Sequence, residues 1–548
     1  MGNKISSKVI AVVLVLAVVV TIDLLVKKPF FSSAKDRVYE LLGSKEKVRV
    51  KEDSVHINSR AFLSKFYDYF GYKQLWTDSD KVNDKYRDML ISMLQQADSL
   101  GLDRKDYHAD YITKFDSLSH LPNFDYAQYE SENELIFTDA ALTFLYNVAY
   151  GKEINIGFNG VKYNIDSTRI LNVFKDLLVS ANWRKTLDSL EPRTRQYIAL
   201  KAELNRMNSC LARLPETDTV MATADKKVVI VNKLKAYGFI DEQLSVDSVS
   251  ALQMRAGVKK FQKMMSADTT GKLDDKTLAS LNFPLHKRIS QIKECLNDWR
   301  WTGRLNEREF ILVNIPAARL QIVKTDSVQD VSMKVIVGKL ATQTPAFTSY
   351  ITKVITYPYW TVPFGIATKE MLPKIRKNID YLESNNLQVL DSKGKVIDNV
   401  EGLNWNRFSP TYFPYTIRQG TGCDNSLGVL KFDLNSPYSI YLHDTNAKGL
   451  FAQKNRFLSH GCVRLEKPMI LAEYVLHGGL DSNTIEKLNQ CMTDQKPTEF
   501  RLKKKFPVLI LYMTADIDEN GNLKFYNDVY GIEDKKVPAP IVKEVASL

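Results

Sequence analysis

What this 548-residue chain lacks narrows it first. Its five cysteines, Cys210, Cys295, Cys423, Cys462 and Cys491, are too few and too scattered for a disulfide framework. Their odd number leaves at least one thiol free. No low-complexity tract appears, so most of the chain should fold. Finger, RNA-recognition and P-loop patterns are absent, so the formal net charge of +11 gives no case for nucleic acid. An anionic cell envelope, or simply a solvated basic surface, accommodates that charge equally well. At 62.6 kDa the chain is too long for one core, and its length suggests three or four domains.

The N-terminus carries the one long apolar run. Lys4 and Lys8 precede Val9–Val20, and apolar residues resume around Asp23 as far as Val26, before Lys27 and Lys28. No A-x-A-like cleavage site follows Val20, and no cysteine offers a lipidation site. Val9–Val26 just reaches the roughly 17–25 residues that a membrane span needs. Residues 1–28 are therefore expected to be an uncleaved single-pass anchor in the inner membrane, with everything after about residue 30 on its extracytoplasmic side. Residues 29–57, polar and aperiodic, read as a tether.

Beyond the tether the pattern changes twice. Residues 58–215 show apolar residues at helical spacing, such as Met89, Leu90, Met93 and Leu94, and read as a helical scaffold without chemistry. After the polar break at 214–225 comes a compact unit, 226–285, of three short helices separated by Gly238 and Gly271. From Arg308 the residues become β-rich: "EFILVNIPAARLQIVK" and "VSMKVIVGK" signal a hairpin. "YSIYLHD" and "FPVLILYMTADID" follow later. Residues 300–515 are expected to form a mixed or mainly antiparallel β-domain, with 516–548 as a C-terminal segment. The fold class is thus multidomain α+β.

Chemistry concentrates in Ser459-His460-Gly461-Cys462-Val463-Arg464. A thiol nucleophile needs a base or a positive field to raise its thiolate fraction. It also needs backbone N–H groups aimed at the developing oxyanion, and a preceding glycine lets the backbone approach closely. His443, nineteen residues upstream at the end of "YSIYLHD", is the candidate base. Asp444, next in sequence on a strand, should point to the opposite face, so a backbone carbonyl is the better candidate for orienting His443. On residue types alone a zinc site from His443, His460 and Cys462 is an alternative, although no C-x-x-C, H-E-x-x-H or paired carboxylate accompanies it.

These residues stand in a set of ordered blocks. "SHGCVRL" resembles the signature of the L,D-transpeptidases. "VGKLATQTPAF", "YPYWTVPFGIATKEMLPKI", "IRQGTGCDNSLGVLKFDL" and "YLHDT" resemble the family's other blocks in order. "PVLILYMTADIDENGNLKFYNDVYG", "QLWTD" and "SLGLDRKDYH" are similar to the terminal and scaffold segments of its large membrane-anchored members. "LKAYGF", "VKKFQ" and "KTLASLN" resemble small peptidoglycan-binding domains. The chain departs in having Thr421 where the family has proline, Cys423 in the same loop, and Thr270-Gly271 where the binding domain has Asp-Gly.

The resemblance implies a periplasmic cell-wall enzyme that joins peptidoglycan stem peptides, donor to acceptor. It would need no metal or organic cofactor and would be acylated by carbapenems. It implies Cys462 as nucleophile, His443 as general base, and the amides of Gly461 and Cys462 as oxyanion donors. Tyr441, Ser459, His460 and Arg464 are expected to shape the substrate site. The long insertion at about 365–418 reads as a lid. Within it Trp405, Phe408 and Tyr412 either touch substrate or build a small satellite core. Two other readings stay open: a non-catalytic peptidoglycan-binding scaffold, and a zinc-dependent muropeptide hydrolase.

Overall fold

The computed structural model describes residues 34–533, apart from 44–47, 51–52, 73, 79–80, 83, 126–128, 155, 162–166, 181, 213–225, 306–308, 325–330, 478 and 491–494. The expected anchor at 1–28 lies outside these residues. Among the described residues no helix is long and apolar enough to cross a membrane. The tether reading needs correction. Ala34–Gly43 is a helix, and Val38 and Leu42, four residues apart on one face, bury themselves in the scaffold core.

That core is built around helix α2 (Glu130–Tyr150), which the shorter α1 (Arg60–Phe70) flanks. α2 is buried on nearly every side, so its polar residues must find partners inside. The Glu134 carboxylate accepts hydrogen bonds from the Leu75 and Trp76 amides (3.0 and 3.1 Å) and from the Tyr67 hydroxyl. Asp139 accepts from the Asn58 amide and pairs with His108 Nε2 at 2.7 Å. Helix α3 (Arg195–Leu211) leads on to the three-helix unit, α4 (Lys226–Ala236), α5 (Ala251–Met264) and α6 (Asp275–Asn282). There the buried Gln262 side chain bonds Thr270, Thr277 and the main chain of Gly271 and Lys272. Gly271 has φ +73°, and a Cβ there would stand 2.6 Å from Arg255 Cγ, so the turn requires glycine.

Helix α7 (Leu285–Thr302) carries the chain to the sheet. Buried Arg300 donates to the Tyr197 hydroxyl (2.8 Å) and to the Leu100 carbonyl. Arg304 donates to the carbonyls of Tyr150 (2.9 Å) and Gly151 (2.7 Å).

The main sheet begins within the scaffold sequence: β1 (Phe158–Asn159) pairs parallel with β5 (Phe347–Thr356). The remaining strands are β2 (Glu309–Asn314), β3 (Arg319–Lys324), β4 (Ser332–Gly338), β9 (Leu430–Leu434), β10 (Leu442–His443), β11 (Phe457–Ser459), β12 (Val463–Leu465) and β13 (Thr498–Leu511). They run in the order β9-β10-β12-β4-β3-β2-β13-β5-β1, and β11 adds on β4. β9 also pairs with β5, which closes the sheet on itself. Most pairings are antiparallel; β10–β12, β11–β4, β13–β2 and β1–β5 are parallel.

β2 and the second half of β13 are buried on both faces, which explains their unbroken apolar runs. Ile311, Val313, Val508 and Ile510 fill the inside of the closed sheet with Val335, Leu430, Leu442 and Val463. Phe310, Leu312, Leu509 and Leu511, on the alternate positions, meet Trp299 and Trp301 of the helical side. β14 (Ala515–Ile517) and β15 (Leu523–Phe525) form an antiparallel hairpin whose apolar side joins that same core. The last scaffold helix α3, the three-helix unit and the C-terminal hairpin therefore share one core with the sheet, while the rest of the scaffold keeps a core of its own.

Between β5 and β9 lies the insertion. β6 (Trp360–Thr361), β7 (Leu387–Leu390) and β8 (Thr416–Gln419) make a three-stranded sheet in the order β6-β8-β7, with short helices packed on it.

Burial is the largest influence on the Glu134 carboxyl and pushes it up to about 7. A carboxyl raised in the folded state binds a proton that the unfolded chain has released. Stability should therefore fall as pH rises from about 4.5 to 7, by at most about 3 kcal/mol. Denaturation midpoints across that range should slope downward, and Glu134→Gln should flatten the slope; an unchanged slope would contradict the assignment.

Candidate active site

His443 and Cys462 reach one place because their strands are neighbours. β10 and β12 run parallel, with Leu442 opposite Val463 and His443 opposite Arg464, and Val463 N–H donates to the Tyr441 carbonyl at 3.1 Å. Cys462 thus lies beside Tyr441 at the start of β12. Both His443 and Cys462 line a groove of about 1160 Å³ roofed by the insertion, together with Tyr441, Ser459, His460, Gly461 and Arg464.

The loop before Cys462 is held by hydroxyls. Ser459 Oγ donates to the Cys462 carbonyl (2.6 Å) and accepts from the Gly461 amide (3.1 Å). Thr344 Oγ1 donates to the Gly461 carbonyl (2.7 Å) and accepts from Gly338 N–H (2.9 Å). The Ser459 carbonyl accepts from the Lys339 amide and from Thr342 Oγ1. Tyr530, far along the chain, props the same strand end by donating to the Gly338 carbonyl at 2.5 Å. Gly461 has φ +117°, a conformation that side chains rarely adopt, so glycine is required for its backbone rather than for space. Because Ser459 takes the Gly461 amide, the expectation of two free oxyanion donors is corrected: Gly461 N–H is committed to shaping the loop.

His443 is 4% exposed. Its ring hydrogen-bonds the Asp444 main chain, while among the described residues Nδ1 has no hydrogen-bond partner. Burial, with Arg464 and Lys431 nearby, drives its pKa down to about 3. Burial pushes the Cys462 thiol up, against the opposing pull of Tyr441, Lys431 and Arg464. The resting groups are therefore neutral imidazole and neutral thiol. Tyr441 packs edge-on against His443 (centroids 5.5 Å apart), and Lys431 Nζ lies 4.4 Å above the Tyr441 ring.

Asp444 turns the other way, as alternation along a strand dictates. Its buried carboxylate accepts from the Val429 amide (3.0 Å) and pairs with Lys448. A Cβ on Gly428 would stand 2.3 Å from that carboxylate, so the close approach demands glycine.

The insertion divides the residues expected of it. Trp405 and Phe408 are buried in its own core with Phe413 and Ile417, and Trp405 Nε1 donates to the Val400 carbonyl at 2.9 Å. Tyr412 is exposed, and none of the three lines the groove. Trp405 and Phe408 build the satellite core, and Tyr412 lies outside it; aromatic residues spaced along an insertion serve packing as readily as recognition. The groove is lined instead by Trp360, Phe364, Glu370, Met371, Lys374 and Tyr381. Glu370 Oε1 meets His460 Nε2 at 2.7 Å, tying the insertion to the cysteine loop. Trp360 and Glu370 stood in one quoted block and Ser439 in another, but nothing local in sequence marked Glu370 or Ser439 as lining the site. Cys423 is disulfide-bonded, whereas Cys210, Cys295 and Cys462 are thiols outside any disulfide; Cys491 lies outside the described residues. Among the described residues no three His, Cys, Asp or Glu side chains are gathered to hold a metal ion, so the three-ligand set weighed for His443, His460 and Cys462 is not assembled.

Residues 308–486 match the family model of the YkuD L,D-transpeptidase catalytic domain. The chain therefore carries an L,D-transpeptidase catalytic domain. Residues 61–204 match a scaffold-domain family, and 228–281 match one described as "Putative peptidoglycan binding domain". A Haemophilus influenzae protein named "Putative L,D-transpeptidase" is 37% identical over 223 residues, which span 41% of this chain and 44% of that protein. An L,D-transpeptidase from Stackebrandtia nassauensis covers 53% of this chain and 92% of its own at 14% identity and a TM-score of 0.19. One from Mycobacterium smegmatis covers 37% and 58% at 12% identity and a TM-score of 0.16. Both scores are too low to argue from.

Truncating Phe408 removes the centre of the insertion's aromatic cluster. Phe408→Ala should cost the lid about 3–5 kcal/mol. In hydrogen exchange the amides of β7 and β8 should lose protection while those of β4 keep theirs. Equal loss in both would show that the lid has no core of its own.

Proposed function

We propose that this protein is an L,D-transpeptidase that cross-links peptidoglycan through a Cys462 thioester, with His443 as general base and acid. The observation that carries the reading is the buried, unpartnered Nδ1 of His443 in the groove that also exposes Cys462. The Asp444 main chain beside the ring favours its protonated form, against the burial that keeps it neutral.

The donor is a stem tetrapeptide ending in D-Ala after a diamino acid. It lies under the lid, and Cys462 attacks the carbonyl between its third and fourth residues. His443 takes the thiol proton and returns one to the departing D-Ala amine. The Cys462 amide faces the oxyanion, and Arg464 and Tyr441 stabilise the developing charge on sulfur and oxygen. The side-chain amine of an acceptor stem's diamino acid then opens the thioester, giving a 3–3 cross-link; water in its place trims the stem. The peptidoglycan-binding-like unit at 226–285 keeps the enzyme on its substrate. An extracytoplasmic site of action fits the disulfide at Cys423, since disulfides persist in oxidising compartments.

Intact mass of the full-length protein after incubation with a carbapenem tests the nucleophile. One adduct is expected, confined to the unaltered protein and missing from Cys462→Ala. No adduct, or one that survives the substitution, would move the reading to a non-catalytic wall-binding protein.

The rate of adduct formation tests the base. His443 is neutral, and so competent, at every pH above about 3. The rate should therefore not drop as pH falls from 8 to 5. A loss centred near 6.5, the ordinary histidine value, would contradict a buried neutral base.

A further inference from the structure

Ser459 takes the Gly461 N–H, whereas among the described residues no hydrogen bond takes the Cys462 N–H. What aims that amide is the other end of its own peptide. The carbonyl of Gly461 and the N–H of Cys462 lie in one plane and point in opposite directions. Thr344 Oγ1 donates to the carbonyl at 2.7 Å, so its hydroxyl sets the direction of the amide from behind. Gly461 alone would not hold the peptide still, because at φ +117° it has no side chain to limit rotation.

Thr344 owes its place to a residue far along the chain. Buried Tyr530 sets its hydroxyl between two main-chain groups, donating to the Gly338 carbonyl at 2.5 Å and accepting from the Thr344 N–H at 3.3 Å. Gly338 N–H in turn donates to Thr344 Oγ1 at 2.9 Å. The turn from Gly338 to Thr344 is pinched so tightly that a Cβ on Gly338 would stand 2.2 Å from the Thr342 carbonyl oxygen. Tyr530 is fixed from its other side as well. Its N–H donates to the Tyr512 hydroxyl (2.9 Å), which donates to the Asp528 carboxylate (2.6 Å). Asp528 also accepts from the amides of Ile532 (3.0 Å) and Glu533 (2.9 Å). The Tyr512 and Tyr530 rings stack with centroids 5.5 Å apart, and Phe457, two residues before Ser459, meets Tyr530 edge-on. Tyr512, Asp528 and Tyr530 all lie beyond residue 486, where the match to the catalytic-domain family ends.

We infer that Tyr530 and Thr344 are positioning residues for acyl transfer: together they hold the Gly461–Cys462 peptide so that the Cys462 N–H meets the oxyanion, and the C-terminal segment thereby completes the active site. The inference rests on the thioester reading above and adds what keeps its oxyanion donor in line. Such a donor helps only if it is already aligned when charge develops on the carbonyl oxygen; one free to swing loses the benefit. The effect is therefore confined to reactions that pass through an oxyanion. In acylation by a carbapenem the Cys462 sulfur adds to the lactam carbonyl, the C–N bond opens and the thiol proton ends on the ring nitrogen. In alkylation by iodoacetamide the same sulfur displaces iodide from a saturated carbon, the thiol proton goes to solvent and no oxyanion forms.

The test sets these two reactions side by side in the full-length protein, each read by mass at the peptide that carries Cys462. Tyr530→Phe removes one hydroxyl and keeps the ring; Thr344→Val removes the other and keeps the shape. Both should slow acylation at saturating carbapenem by about tenfold or more, while alkylation changes less than about twofold. Thr344→Ser keeps the hydroxyl and should acylate within about threefold of the unaltered protein. If Tyr530→Phe unfolds, Tyr512→Phe, one bond further from the thiol, carries the decision through the same split between the two reactions. Acylation at the unaltered rate in Tyr530→Phe and Thr344→Val, or a parallel loss of acylation and alkylation in folded variants, would overturn the inference. So would a Thr344→Ser no faster than Thr344→Val. Failure of the unaltered protein to acylate at all would instead overturn the thioester reading on which it stands.

Discussion

The pairing of β9 with both β10 and β5 is the constraint on which the site depends. A sheet left open there would have an unpaired edge beside its most functional strands. Closing it leaves β10 no freedom to shift against β12, and a shift of one residue would turn His443 to the wrong face. The register that results sets Tyr441 beside Cys462 and His443 beside Arg464. The interior that enforces this register is apolar and close-packed, with Leu442 and Val463 among its fully buried members.

Within that frame, burial does the electrostatic tuning. A histidine in water would be half charged in mildly acid conditions; desolvation and the nearby Arg464 keep His443 neutral. The same desolvation keeps the Cys462 thiol protonated, while Tyr441, Lys431 and Arg464 favour the thiolate once the proton moves. The pair is poised rather than ionised at rest. Hydroxyl groups supply the rigidity: Ser459 and Thr344 close short rings around the Gly461 backbone, and Tyr530 braces the strand end from the far side.

The helical parts are more than ornament to the catalytic sheet. β1 comes from the scaffold sequence, and its Phe158 packs on Tyr438 next to Ser439. Arg300 and Arg304 fasten α7 to scaffold carbonyls, and the C-terminal hairpin completes the core they share. The insertion, by contrast, has its own aromatic core and meets the cysteine loop through Glu370 and His460. It packs as a unit of its own.

Sequence reading reached furthest where function is written in consecutive residues. Ser459 to Arg464 and Tyr441 to His443 are local motifs, and the chemistry of a thiol and an imidazole is implicit in their types. The β-rich character of β2 and β13 was also legible, whereas the burial of both their faces depends on what packs against them. The lid aromatics were ambiguous, because Trp405 and Phe408 pack equally well against a ligand or against each other; only their neighbours in space decide. The helix at Ala34–Gly43 was hidden because ten residues, with Val38, Leu41 and Leu42 bunched together, are too few to show a period. The sequence by itself determined the α+β class, the reactive residue types and the loop that bears the thiol, since each depends on near neighbours. Only tertiary structure decided which strand lies beside which, what Gly461 N–H is committed to, and where Ser439 and Glu370 stand. Those depend on pairings between residues dozens of positions apart, which no local pattern records.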